Sequence, residues 1–396
     1  MPKRRTPSSP PLASSGRCPG GGRTFARLLL PVIALALAGC SGAADAAGEK
    51  ASDDIAVTAS DSACVVATTT LSSGTHRFTV TNEGSKVTEF YVYADGDRVV
   101  GEVENIAPGV ARSLLVDLPA GSYEAACKPG MNGDGLRSEL TVTGSSASAA
   151  SDDEALQKAV TVYETYVRDQ VADLQRQTAQ FAAAIAAEDV AKAKELYPQA
   201  RTPYERIEPV AESFGDLDPK IDARENDVEP GQTWTGFHVL EKTLWTGGDL
   251  AAAGPVAERL KADVADLAAR VQNLDLRPLD LANGALGLLD EIAKSKITGE
   301  EDRYSHTDLW DFEANLEGSE QAIRSLRPVI TERDAALAVA LDERFEAAET
   351  ALAQYRQGDG FRPYTDLTKD QTRALSDALN ALAAQVSKVP AVIAAK

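Results

Sequence analysis

Trp234-Thr235-Gly236-Phe237-His238-Val239-Leu240-Glu241-Lys242-Thr243-Leu244-Trp245 predicts a helix over about 231–245. At helical spacing, Trp234, Phe237, His238, Glu241, Leu244 and Trp245 fall on one face. An imidazole and a carboxylate thus share a stripe with three aromatic rings. An ionised carboxylate on such a face needs a partner or a cation, because burying it alone is costly. The His-x-x-Glu spacing lets both groups converge on one ion, although taken alone it also fits a core hydrogen bond between His238 and Glu241.

Two further segments favour the ion. In Arg201-Thr202-Pro203-Tyr204-Glu205-Arg206-Ile207-Glu208-Pro209-Val210-Ala211-Glu212, the carboxylates Glu205, Glu208 and Glu212 alternate with Ile207, Ala211 and Phe214 on a predicted helix over 189–214. Tyr304-Ser305-His306-Thr307-Asp308-Leu309-Trp310 opens another helix, with Thr307 or Asp308 as N-cap. There Trp310, Glu313, Glu317 and Glu320 form a stripe beside Leu309, Leu316 and Ile323. Carboxylates on three apolar helices, with His238 and His306 as the available imidazoles, point to a metal site inside a helical domain. Oxygen-rich ligation suits a hard cation such as Fe(III), with Zn(II) and Mn(II) less suited.

Outward from these segments the helical pattern fills 152–396, opening on a Ser151-x-x-Glu154 capping box. Predicted helices lie at about 152–187, 189–214, 231–245, 249–273, 280–296, 307–325, 328–357 and 367–388, with short joints that imply antiparallel packing. Residues 54–143 instead carry short runs rich in Val, Thr, Phe and Tyr between turn signals such as Asp95-Gly96-Asp97 and Pro108-Gly109, a pattern that predicts a small β-sandwich. Linkers at 40–53 and 144–151 separate the zones. The fold class expected is α+β multidomain, a β-sandwich followed by an all-α bundle.

The chain begins as an export signal. Six Lys/Arg and no acidic residue precede or flank the apolar run Leu28–Ala38, which is too short to span a bilayer. It ends in Leu37-Ala38-Gly39-Cys40, which resembles a bacterial lipobox, so residues 1–39 read as a lipoprotein signal peptide and Cys40 as the lipidation site. This predicts an extracytoplasmic protein tethered to the outer face of the cell membrane. The chain of 396 residues has a formal net charge of −20, which argues against a nucleic-acid partner because phosphate binding needs a basic face.

At Gly236–Lys242, Pro203–Pro209 and Tyr304–Leu309, three segments in matching order, the chain resembles the imelysin-type domain of the EfeO/EfeM family of iron-uptake proteins. The resemblance covers about 152–390. It implies an iron-binding component (Fe2+ or Fe3+) of an EfeUOB-type uptake system, working with an EfeU-type iron permease and an EfeB-type haem peroxidase. By that resemblance His238 and Glu241 are metal ligands. Glu205, Glu208, Asp308, Glu313 and Glu317 join them from the face argument alone.

Cys64 and Cys127 admit two readings. Two cysteines in one exported sandwich are commonly a disulfide. Yet Cys127-Lys128-Pro129-Gly130-Met131 resembles the Cys…Met loop of a cupredoxin, without the histidine such loops carry. Longer EfeO proteins have a cupredoxin-like N-terminal domain, and Thr88–Tyr91 with Glu104–Gly109 resembles it. That resemblance implies a copper or iron site from Glu89, Cys64, Cys127 and Met131, oxidising iron before the helical domain receives it.

Two rival functions remain open at this level: an adhesive or polysaccharide-binding lipoprotein recruiting divalent cations, and a metallopeptidase. A helical zinc peptidase wants His-Glu-x-x-His. His238 is followed by Val239 and Leu240, and position 242 is Lys. If the lipobox is used, Cys40→Ala should leave the precursor unprocessed or release the protein from membranes in a fractionation experiment; unchanged attachment would remove the lipoprotein reading.

Overall fold

The computed structural model describes residues 54–144, 153–228 and 231–395. Cys40, the leader before it and the linker through 53 lie outside the described residues, as do 145–152. From Lys50 onward the chain forms one unit.

The first ninety described residues form two facing sheets. Strands β1 (Asp54–Ala59), β2 (Cys64–Val66), β3 (Thr70–Ser72), β4 (Gly74–Asn82), β5 (Thr88–Ala94), β6 (Arg98–Ile106), β7 (Ala111–Leu118), β8 (Gly121–Cys127) and β9 (Leu136–Thr143) assemble in the orders β2-β1-β4-β7 and β3-β9-β8-β5-β6. Pairing is antiparallel except β1 with β4 and β3 with β9. The period-two alternation of β4 turns Phe78 and Val80 inward against Phe90 and Val92 of β5. β5 is buried on both faces, because Glu89, Tyr91 and Tyr93 lie on the side away from the sandwich core and are covered as well.

Cys64 and Cys127 are joined in a disulfide, with Cα atoms 5.4 Å apart. The bond ties β2 of one sheet to β8 of the other and overturns the reading of these residues as metal ligands, since a disulfide has no thiolate to offer a cation. The other two members of that set also stand apart. Cys127 pairs with Phe90 and faces the core, whereas Glu89, one residue along, faces the opposite side and accepts a hydrogen bond from the Tyr91 hydroxyl at 3.2 Å. Met131 is 43% exposed on a turn with positive φ. His76 Nε2 is bonded to the Ser72 carbonyl at 2.7 Å. The residues present therefore do not fit a copper centre.

The helical part opens with α1 (Glu154–Ala186), capped by Asp153, whose carboxylate accepts from the Ala155 and Leu156 amides. The cap is thus Asp153, and Ser151 lies outside the described residues. There follow α2 (Val190–Glu205), a 3₁₀ segment (Glu208–Leu217), α3 (Asp218–Asp222), α4 (Phe237–Thr246), α5 (Leu250–Arg270), α6 (Pro278–Lys294), α7 (Asp308–Arg333), α8 (Ala335–Ala353), α9 (Lys369–Val386) and α10 (Val389–Ala394). No helix among the described residues is long and apolar enough to cross a membrane.

Three boundaries differ from expectation. The 189–214 helix stops at Glu205, because Pro209 lacks an amide hydrogen and disfavours helical geometry before it. The 231–245 helix starts only at Phe237, with Gly236 as N-cap, so Trp234 lies off the helix and donates its indole N–H to the Ala223 carbonyl. Conversely, α7 runs on through Pro328 to Arg333.

The 3₁₀ segment lies wedged between α6 and α7, and glycines make the space. A Cβ at Gly284 would meet the Pro209 carbonyl oxygen at 1.8 Å, and one at Gly318 would meet that of Arg206 at 2.2 Å. This close approach brings Glu205 and Glu208 to the centre of the helical domain.

The disulfide closes a loop of 63 residues in sequence separation, worth roughly 4 kcal/mol on a chain-entropy basis. Alkylation without reductant should label neither Cys64 nor Cys127, and the Cys64→Ala/Cys127→Ala variant should lose about 2–4 kcal/mol in denaturant unfolding. Labelling of both thiols in the folded oxidised protein would contradict the pairing.

Candidate metal centre

Arg201, fully buried on α2, organises the site. Its guanidinium pairs with Glu205 of the same helix and Asp222 at the end of α3, and lies 3.4 Å from Glu301 Oε1, 3.7 Å from Asp302 Oδ1 and 3.4 Å from Asp311 Oδ1. Glu301 and Asp302 sit in the loop that leads into α7, and Asp311 sits one turn inside it. Five carboxylates from distinct parts of the chain thus face one cation.

His238 stands against this cluster from the first turn of α4. Its Nδ1 is 3.1 Å from Glu241 Oε2, 3.4 Å from the Tyr197 hydroxyl and 4.0 Å from Asp302 Oδ1. Its Nε2 is 3.2 Å from Arg201 Nη1, 3.7 Å from Glu301 Oε1 and 3.8 Å from Asp222 Oδ1. Each nitrogen is therefore the apex of a potential three-ligand group, Asp222–His238–Glu301 and His238–Glu241–Asp302, with ligand atoms within 4.8 Å of one another. Glu241 is oriented from behind, since its Oε1 accepts from the Tyr304 and Ser305 amides at 2.8 and 2.7 Å. Tyr197 donates to Asp302 Oδ1 at 2.8 Å. Such second contacts aim the carboxylates at a common point.

The electrostatics are those of many charges held in little water. Burial and Arg201 push the His238 imidazole down, while Glu241, Glu301 and Asp222 push it up; the carboxylates prevail, at about 10. Burial alone would raise Glu241, but the His238 ring and the two amides hold it below the usual carboxylate range. Burial likewise opposes ionisation of Glu301, which Lys296, Arg224 and His238 bring well below that range. Burial lifts Asp222 to about 6 against the pull of Arg201, and burial with Asp302 lifts Asp308 to about 8. When the ring is neutral, Arg201 donates to Nε2 and Nδ1–H donates to Glu241. When it is protonated, both nitrogens face carboxylates.

Of the residues expected from sequence, the structure brings His238, Glu241 and Glu205 to this centre. Asp308 is at its edge, accepting from the Asp302 amide at 3.2 Å. Glu208 belongs to an adjoining cluster, bonded to Lys296 Nζ at 2.6 Å and to Asn315 Nδ2 at 2.5 Å. Glu313 and Glu317 are elsewhere: Glu313 pairs with Arg356, and Glu317 with Arg206 at 2.7 Å. On α7 the stripe that points inward is Asp308, Asp311 and Asn315, and Glu313 and Glu317 are rotated off it. His306, with positive φ, joins neither three-ligand group.

Sequence reading missed Asp222, Glu301, Asp302, Asp311, Arg201 and Lys296. The run Asp311, Asn315, Ser319 recurs every four residues among apolar neighbours, a legible signal for a buried polar stripe. Nothing local marks Asp222 or Glu301, which short loops deliver from other parts of the chain.

Known proteins match this arrangement of parts. The imelysin family model covers residues 159–389, and a cupredoxin-like domain model covers 29–142. The iron uptake system component EfeO of Escherichia coli strain K12 is 40% identical over 345 residues, spanning 86% of this chain and 91% of that protein. The proteins of the same name from Shigella flexneri and Escherichia coli O157:H7 match to the same extent. With both domain models present in order and 40% identity over most of both sequences, this chain belongs to the EfeO family, a cupredoxin-like domain followed by an imelysin domain.

Proposed function

We propose that this protein is an extracytoplasmic iron-binding component of an EfeUOB-type uptake system, capturing iron at the His238–Glu241 centre and delivering it to a membrane permease. The observation that carries the reading is the position of His238, one imidazole shared by two sets of carboxylates that are buried or, for Asp222, nearly so. One nitrogen and several oxygens make a donor set for a hard cation. The relatives' name, iron uptake system component, supports iron as the cargo. An EfeU-type permease and an EfeB-type haem peroxidase are the partners this membership suggests, with the lipid anchor at Cys40 keeping the protein beside them. The disulfide supports an oxidising compartment.

Catalysis is not part of the proposal. The imelysin label is a peptidase-like one, but His238 is the single imidazole in either ligand group, and the relatives are named for uptake. Nor is iron oxidation assigned to the β-domain, whose cysteines are bonded to each other.

Binding to the native state stabilises it by RT ln(1 + [L]/Kd), roughly 3 kcal/mol at a hundredfold excess over Kd. Iron should therefore raise the melting temperature of the intact protein, and His238→Ala or Glu241→Ala should abolish most of that rise with far-UV helix content preserved. Both variants binding iron like the parent would reduce the pair to a core hydrogen bond. The pH dependence has a definite sign. Because the imidazole holds its proton up to about 10, a cation must displace that proton at neutral pH. Affinity for Mn(II), measured anaerobically, should climb close to tenfold per unit from about pH 6 to about pH 8, and a flat profile would show that binding displaces no proton from His238.

A further inference from the structure

The β-domain meets the helical domain around a cavity of about 320 Å³, and acidic side chains from both domains line it. Glu102 and Glu104 come from β6, Glu208 and Glu212 from the 3₁₀ segment, and Glu291 from α6. Its wall also includes Asp222 and Glu301, the two carboxylates that face His238 Nε2. At about 30 Å³ per water, the space holds about ten waters, enough for a cation with its first hydration shell.

Two carboxylates meet here without a counter-charge. Glu102 and Glu212, one from each domain, both line the cavity, and after burial the charge of Glu212 is the largest influence raising the Glu102 carboxyl. Glu102 Oε2 and Glu212 Oε2 are both buried atoms with no hydrogen-bond partner. Facing carboxylates need a shared proton or a cation between them. The nearby basic groups are committed: Lys296 holds Glu208 and Glu205, and Arg224 holds Glu301 and Asp227. Arg98, also in the wall, is solvent-exposed. Gly287 of α6 leaves room beside the pair, since a Cβ there would stand 3.6 Å from Glu102 Oε1. The acidic path continues into the β-domain, where the Tyr91 hydroxyl lies 3.4 Å from Glu104 Oε1 and 3.2 Å from Glu89 Oε2. Burial, in the first place, and the neighbouring carboxylates push Glu102 and Glu104 well above the usual range, as expected of groups lacking a counter-charge.

We propose that this interdomain cavity is a loading chamber for a hydrated divalent cation, held by Glu102, Glu104, Glu212 and Glu291 before it passes Asp222 and Glu301 to His238. Its destination rests on the reading of His238 as the cargo site; the chamber as a binding site does not. Among the described residues, only the two groups at His238 bring three ligand atoms within 4.8 Å of one another, so a cation in the cavity would keep its water shell and remain free to move inward. Acids outnumber bases in this wall, and such an excess concentrates counter-ions and speeds their capture.

Mn(II) is the probe, followed by electron paramagnetic resonance on the intact protein, with loading rates taken by rapid mixing at low salt. The parent should bind two ions, one weakly. Glu102→Gln/Glu212→Gln, which removes charge but little volume, should lose the weak ion and load the tight site roughly tenfold more slowly with unchanged capacity. His238→Ala/Glu241→Ala should lose only the tight ion. Glu291→Gln, on α6, is the independent variant and should also slow loading. Parental stoichiometry and rate in both glutamine variants would overturn the chamber. Loss of the weak ion in Glu102→Gln/Glu212→Gln, with a parental tight site in His238→Ala/Glu241→Ala, would uphold the chamber and overturn the His238 reading instead.

Discussion

The pairing of one fully buried guanidinium with five carboxylates is the constraint on which the helical domain turns. Arg201 reaches Glu205 on its own helix, Asp222 at the end of α3, Glu301 and Asp302 in the loop before α7, and Asp311 within α7. None of these acids would stay ionised in such company without a cation. Breaking a buried pair by removing one partner typically costs about 3–5 kcal/mol, because the charge left behind has no water to turn to. Arg201 therefore draws separate elements onto one point and keeps their carboxylates close. Lys296 does the same for the adjoining Glu205, Glu208 and Glu301. The acids around His238 are thus assembled in advance, in a field that the buried Arg201 and Lys296 make tolerable.

The two domains are joined by specific polar contacts as well as by packing. Arg112 of β7 pairs with Asp290 of α6 at 2.6 Å, Arg277 with Asp117 at 3.4 Å, and Asn283 donates to the Leu115 carbonyl at 2.8 Å. These surround a seam in which Glu102 Oε2 and Glu212 Oε2 are buried without hydrogen-bond partners. The β-domain contributes Glu102 and Glu104 to that seam from β6, while its own cysteines staple its two sheets together. The acids it brings to the seam thus stand on the outward face of a sheet, apart from the Cys127–Met131 loop.

Much of this was legible beforehand, element by element. Alternation in β4 and the turn signals around it marked a sandwich, and the apolar face of α4 placed His238 beside Glu241. The errors are equally particular. Periodicity puts Glu208 on the helix carrying Glu205, but Pro209 ends that helix and a 3₁₀ segment carries Glu208 into a groove that glycines leave open. On α7, Glu313 and Glu317 accompany Trp310 in the sequence pattern, whereas the inward stripe is Asp308, Asp311 and Asn315. Both stripes alternate polar with apolar residues, and only the neighbours of α7 distinguish them. The cysteines left two outcomes open, and the distance between two strands on opposite sheets decided for the bond.

What the sequence determined by itself was local. Helical period places residues three apart on the same face, so His238 and Glu241 were neighbours before any packing occurred. Chain order, domain classes and the acidic surplus were equally fixed by composition and spacing. The tertiary structure decided which distant acids meet that pair: Asp222, Glu301 and Asp302 approach His238 from loops and helix ends whose direction no local pattern encodes. It also decided where Glu102 meets Glu212. Contacts between residues remote in sequence depend on how whole elements pack, and one buried arginine with a few glycines at helix crossings set that packing here.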